Sequence, residues 1–300
     1  MKIAVTGAFS YTGKYVTQRL LERGEQVITL TGHPNRPDPF GGKVRALPLD
    51  FEGSSLRTSL EGVDVLVNTY WVRFDRRGNT QLRAVENTGR LIASARAAGV
   101  GRIVHVSVTN PTADSPLPYF AGKAANEQAV KDSGLGFAIL RPTLIVGVED
   151  ILINNIAFLL RRLPLFGLPG DGRYPVQPVD VEDLADLMVE AVYAKDNYTI
   201  DAVGPDVFSF REMVALIGKK IGAPRPLLSV PPGVALAAAR SIGLVLGDVV
   251  LTPEEIDGLM AGLLVSNEPP QGSRRLVDWL DMHGGQLGLK YASELKRHFV

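Results

Sequence analysis

Apolar runs and amphipathic stretches alternate through roughly the first two hundred residues. Near-continuous apolar segments at 2–5, 26–30, 44–49, 64–68, 102–106 and 136–140 read as strands. Patterns with helical spacing occupy 13–23, 54–60, 84–98 and 120–133, the last two closed by Gly99 and Gly134. Strands apolar on both faces, most of them separated by a helix, predict a parallel sheet covered on two sides. After Arg141-Pro142 the rhythm changes. Helical 151–163, turn-rich 168–178, helix 181–193 and a last strand at 198–203 precede mostly helical segments at 209–221, 233–246, 253–264 and 286–298. The expected architecture is α/β, a doubly wound parallel sheet over 1–145 completed by about 175–205. A smaller, mainly helical lobe is expected over 146–174 and 206–300, covering the sheet's C-terminal edge.

Residues 233–247 invite a membrane reading, but they fall short of the ~20 residues a spanning helix needs. Arg240 also interrupts them, which favours a buried or interfacial helix. Lys+Arg and Asp+Glu each number 32, so no net field draws the chain to nucleic acid. Cysteine is absent, which excludes disulfides, thiolate metal sites and cysteine nucleophiles. The four histidines show no metal-ligand spacing, so no metal is expected. Lys2-Ile3-Ala4-Val5 follows Met1 with no basic or apolar leader ahead of it, and a cytoplasmic location is expected.

The first strand runs into Thr6-Gly7-Ala8-Phe9-Ser10-Tyr11-Thr12-Gly13, a turn and a helix start. Such a loop holds a dinucleotide pyrophosphate. One glycine makes the turn, a second admits the phosphates, a third lets helix and strand pack closely, and the helix N-terminus attracts the anion. Gly7 and Gly13 fill the first and third roles. Ser10 stands in the middle position and offers a hydroxyl donor beside its N–H. Phe9, Tyr11 and Thr12 complete the loop. An acidic residue ending the second strand would select NAD, through the ribose 2′-hydroxyl. Here Thr31, His33 and Arg36 follow that strand, with no carboxylate before Asp38. NADP is therefore the expected cofactor and NAD is admissible. Arg36 is alternatively a solvated loop residue.

The loop, Asp50 after the third strand, Tyr119-Phe120-Ala121-Gly122-Lys123, Arg141-Pro142 and the 179–185 segment together resemble the short-chain dehydrogenase/reductase superfamily. The likeness is to its extended and atypical, epimerase/dehydratase-like branches, which include the nucleotide-binding accessory subunit of respiratory complex I. This resemblance implies a Rossmann fold with Asp50 and Phe51 near the adenine. It places Thr69 and Tyr70 along the cofactor, and Pro142 and Thr143 near the nicotinamide. Alternatively Asp50 caps the 54–60 helix, and Tyr70 and Trp71 are core aromatics.

A tyrosine four residues before a lysine lies on the same helical face. Tyr119 has a phenol whose ordinary pKa of ~10 is too high for proton exchange at neutral pH, and the Lys123 ammonium would lower it. Lys123 would also hold the nicotinamide ribose. The superfamily's third member, a serine or threonine, falls nearest Val108, flanked by Ser107 and Thr109 on one strand face. Ser107 is the choice by its distance from Tyr119. His105 reads as a packed strand residue. The expected activity is NAD(P)-dependent hydride transfer on a carbonyl/alcohol pair of a small organic substrate. The alternatives are a non-catalytic NADP(H)-binding sensor or assembly module, and a nucleotide-sugar epimerase or dehydratase. A homodimer is compatible with all three.

Overall fold

The computed structural model describes residues 1–33, 35–52, 55–76 and 78–298. It divides into two compact units, 1–142 with 181–202, and 143–180 with 203–300.

The first unit is built on seven strands: β1 (Lys2–Thr6), β2 (Gln26–Thr31), β3 (Arg45–Pro48), β4 (Val65–Asn68), β5 (Arg102–Val106), β6 (Gly136–Pro142) and β7 (Tyr198–Ala202). They pair in the order β7-β6-β5-β4-β1-β2-β3, and every pairing is parallel. That is the Rossmann order, reversing direction between β1 and β4. Helices α1 (Tyr11–Glu22), α2 (Ser55–Ser59), α3 (Gln81–Ala97) and α4 (Pro118–Lys131) connect the strands in turn. On one face Leu56, Leu60, Leu91, Ile92, Ala95 and Val130 pack against Ala4, Leu30, Leu66, Ile103 and Ile139. On the other, Arg19 of α1 ion-pairs with Glu182 and with Asp186 of α6 (Val181–Tyr193).

Several boundaries moved from those read in the sequence. Helix α3 begins three residues earlier than expected because the Thr80 side chain accepts the Arg83 N–H. Pro118 occupies the first turn of α4 and draws its start ahead of Tyr119. Ser54, the expected start of the second helix, lies outside the described residues.

The second unit packs α5 (Leu152–Arg162), α7 (Phe210–Lys220) and α10 (Leu276–His283) around Tyr174, Val176, Leu168 and Trp279. Its strands are short, the longest pair being Phe166–Pro169 with Leu227–Val230. The expected helix over 286–298 does not form as such. Only Glu294–His298 is helical, after a single 3₁₀ turn at Gly284–Gln286. The reason is tertiary: a Cβ at Gly288 would lie 2.3 Å from the Phe158 nitrogen. The guanidinium groups of Arg161 and Arg162 also donate to the carbonyls of Leu287, Gly288 and Leu289, which a helix would consume.

Helix α8 (Pro232–Leu246) is the segment with a membrane-like composition. It buries only Ala239 and Gly243, while Leu244 and Val245 are each 86 % exposed. It is therefore not a buried helix. No helix among the described residues is long and apolar enough to cross a membrane.

Candidate dinucleotide site

The exits of β1 and β4 flank the point where strand order reverses, the place where open α/β sheets bind ligands. Three short polar side chains tie those exits together. The Thr69 N–H donates to Thr6 Oγ1 (2.7 Å), Thr69 Oγ1 donates to the Thr6 carbonyl (2.6 Å), and Thr6 Oγ1 donates to Asn68 Oδ1 (3.1 Å). Thr69 therefore braces the loop's base, and its hydroxyl proton is used within the protein.

Gly7 turns the chain with φ 71°, and its carbonyl accepts the Ser10 N–H at 2.8 Å. A Cβ on Gly13 would sit 2.1 Å from that same carbonyl. Gly7 thus makes the turn, and Gly13 admits no side chain against it. The Ser10 hydroxyl turns inward and donates to the Gly7 carbonyl at 2.6 Å, closing the turn. The consequence is that Ser10, the N-cap of α1, caps nothing with its side chain, and the first turn holds no acidic residue. That helix start keeps its partial positive charge, and the residues present fit a phosphate group. Around the loop, Phe9 lies 6.3 Å from Phe40 ring to ring, and Tyr11 packs edge-on against Tyr15. Thr12 is half-buried in the first turn of α1.

Beyond β2, Thr31 Oγ1 accepts the His33 N–H (3.0 Å), and the Arg36 N–H closes a turn on the His33 carbonyl. Arg36 is half-buried there. The first carboxylate after the strand, Asp38, accepts the N–H groups of Phe40 and Gly42 and so is committed to its own loop. Asp50 likewise accepts the Glu52 N–H at 3.0 Å, a local turn role. Phe51 and Tyr70 meet with ring centroids 4.9 Å apart, and the Tyr70 hydroxyl accepts from Asn87 Nδ2 at 3.0 Å. Burial raises the Tyr70 phenol above its ordinary pKa.

Tyr119 and Lys123 lie one turn apart on α4. Lys123 is 4 % exposed, and its Nζ donates to the Val106 carbonyl at 3.0 Å. Burial pushes its pKa down to about 7, against an opposing pull from Glu127. Trp71 closes over the pair, with Lys123 Nζ 4.7 Å from its ring centroid and the Tyr119 ring edge-on at 5.6 Å. Ser107 is 3 % exposed, and its Oγ has no hydrogen-bond partner among the described residues. Such an orphan directly after β5 fits a role toward a bound oxygen. Pro142 ends β6 in a buried position, whereas the Thr143 hydroxyl is spent on the Gln177 carbonyl in the second unit.

His105 is fully buried, and the network assigns its tautomer. Asn68 Oδ1 already accepts from Thr6 Oγ1 and the Tyr70 N–H, so Asn68 Nδ2 donates to His105 Nδ1 at 3.0 Å. Burial, with the nearby Lys123 charge, pushes the imidazole pKa down to about 3. It stays neutral and works as a packed polar link.

Some participants escaped the sequence reading. Asn68 and Asn87 organise the polar network, and Glu127 holds Arg141 through two hydrogen bonds of 2.8 and 2.6 Å. The spacing Tyr119-x-x-x-Lys123-x-x-x-Glu127 repeats every four residues and was the available signal for Glu127. Trp71 carried none. Among the described residues no cluster of three or more His, Asp or Glu side chains suits a metal.

A family model described as NAD(P)H-binding matches residues 7–194. A mitochondrial NADH dehydrogenase [ubiquinone] 1 alpha subcomplex subunit 9 from Arabidopsis thaliana is 27 % identical over 252 residues. That alignment covers 79 % of this chain and 62 % of the plant protein, so the chain spans less than two thirds of that relative. A 2-alkyl-3-oxoalkanoate reductase from Stenotrophomonas maltophilia is 28 % identical, with 82 % of each chain covered. Among solved structures, a Citrobacter triphenylmethane reductase superposes with TM-score 0.78 at 17 % identity, over 96 % of this chain and all (100 %) of the other. The Escherichia coli quinone oxidoreductase QOR2 with NADPH gives 0.74 at 20 % identity, over 93 % and 99 % of the two chains.

Proposed function

The chain belongs to the NAD(P)H-binding family, in the atypical branch of the short-chain dehydrogenase/reductase superfamily, and on that premise we propose an NADP-dependent oxidoreductase. Its substrate is the carbonyl/alcohol pair of a small organic molecule. The observation that carries this reading is Lys123, buried beside Tyr119 at the polar end of β5 with its pKa near neutrality.

When bound, the nicotinamide supplies or accepts the hydride. The loop from Gly7 to Gly13 and the start of α1 hold the pyrophosphate. Tyr119 gives its phenolic proton to the carbonyl oxygen as the carbon is reduced, and the Lys123 ammonium stabilises the phenolate left behind. Ser107 Oγ, which spends no hydrogen bond within the described protein, orients that oxygen. Preference for NADP follows from Asp38 being turned into its own loop, which leaves Thr31, His33 and Arg36 to meet a 2′-phosphate. The likeness to the Stenotrophomonas 2-alkyl-3-oxoalkanoate reductase, with 82 % of each chain covered, makes 3-oxo carboxylic acids the first substrate class to assay.

Tyr119→Phe is expected to lower turnover of NADPH at least ~100-fold while leaving NADPH affinity unchanged. Undiminished turnover in that variant contradicts the assigned mechanism. A second reading, a non-catalytic NADP(H)-binding module, is favoured by the burial of Ser107 and by the indole covering Lys123. It predicts tight NADPH binding without turnover of any carbonyl substrate.

A further inference from the structure

Lys123 cannot be reached as it stands. The groups around it include the Val106 carbonyl and His105 on β5, Tyr119 and Glu127 on α4, and the Trp71 indole. All but one belong to a strand or a helix whose backbone is fixed by its own hydrogen bonds. Trp71 alone sits in the irregular connection between β4 and α3. Its indole N–H is buried with no acceptor among the described residues, so no hydrogen bond there anchors the ring, which the Lys123 ammonium meets face-on. The ring rests instead on Gly122, where a Cβ would come 2.8 Å from Trp71 Cη2. A glycine inside a helix weakens it by about 1 kcal/mol, and here its absent side chain is the ring's seat.

We propose that Trp71 is the gate of Lys123: its indole covers the ammonium, and swings off Gly122 to admit the ribose hydroxyl of a bound dinucleotide. The proposal rests on the cofactor reading above, deepens it, and makes Trp71 a positioning residue. Swinging out also frees the indole N–H to hydrogen-bond with water, which offsets the lost contact with the ammonium.

The test uses the full chain. Trp71 and Trp279 are its two tryptophans, so Trp279→Phe leaves Trp71 as the sole indole reporter. Oxidised NADP is expected to red-shift Trp71 emission and increase its quenching by acrylamide, whereas 2′,5′-ADP, which lacks the nicotinamide riboside, binds and leaves both unchanged. Binding of NADP seen by calorimetry with unmoved Trp71 emission overturns the gate.

A second measurement needs neither cofactor nor Trp279→Phe. Acylation of Lys123 in the otherwise native chain, read by peptide mass spectrometry, should quicken about tenfold in Trp71→Ala and in Gly122→Ala if the closed state holds ~90 % of molecules. Equal labelling in both variants and the native chain overturns the proposal. Faster labelling without binding of either nucleotide upholds the gate and refutes the cofactor reading instead.

Discussion

Gly13 carries the tightest steric limit in the phosphate loop, because any side chain there meets the Gly7 carbonyl. Gly13→Ala is therefore expected to cost roughly 1–3 kcal/mol of stability in urea unfolding, the range of an overpacked core. It should also abolish nucleotide binding. Ser10 predicts the opposite pattern. Removing its hydroxyl in Ser10→Ala deletes one bond to Gly7 and costs about 1 kcal/mol, yet NADPH affinity should hold within ~3-fold, since that hydroxyl does not face the phosphates. A large loss of affinity, measured by calorimetry, would show that Ser10 turns outward in the complex. These two residues mark what is legible at this scale. A glycine announces a backbone need that any reader of the chain can see. The direction of a serine hydroxyl depends on which acceptor lies nearest in three dimensions, and no pattern records that. The Thr143 hydroxyl is equally unannounced, its acceptor Gln177 being far along the chain.

At the scale of elements, strands and helices of the first unit were readable because each is apolar in its own period and closed by a glycine or opened by a cap. Helix α10 and the segment after it were not. Residues 286–298 have helical composition, yet Gly288, at φ 67°, and the arginines of α5 hold the stretch near 287–289 in a turn. That is a tertiary decision overriding propensity. Arg161→Ala removes charged donors to the carbonyls of Leu287 and Gly284, interactions of about 1.5–3 kcal/mol in such settings. Amide hydrogen exchange over residues 284–290 should then accelerate, with exchange in the β1–β5 sheet unaltered. Unchanged protection of 284–290 would mean that Gly288 packing alone holds the segment.

For the molecule as a whole, the parallel sheet followed directly from the alternation of strands and helices, since a parallel pair requires a crossover between its strands. The second unit is assembled from returning segments and very short strands, whose pairing has no sequence period to announce it. The candidate site divides likewise: the loop and the Tyr119–Lys123 pair were visible, whereas Trp71 and the Asn68–His105 link arise only on folding. Burial of that site has a consequence for stability. Lys123 gives up its proton near pH 7 when folded and near its ordinary 10.5 when unfolded, so the unfolded chain binds more protons between those values. Stability from this group is complete above about 10.5 and is lost as pH falls through 7. Lys123→Met removes the linkage. The variant's stability relative to the native chain should be greater at pH 7 than at pH 10 in urea unfolding, and parallel profiles would refute the depressed pKa.

The claim that the loop of Gly7–Gly13 serves a dinucleotide, with NADP preferred, is tested most directly by calorimetric titration of the native chain with NADPH and with NADH. One NADPH bound per chain, tighter than NADH, is the expected result. A folded protein that takes up neither would contradict it.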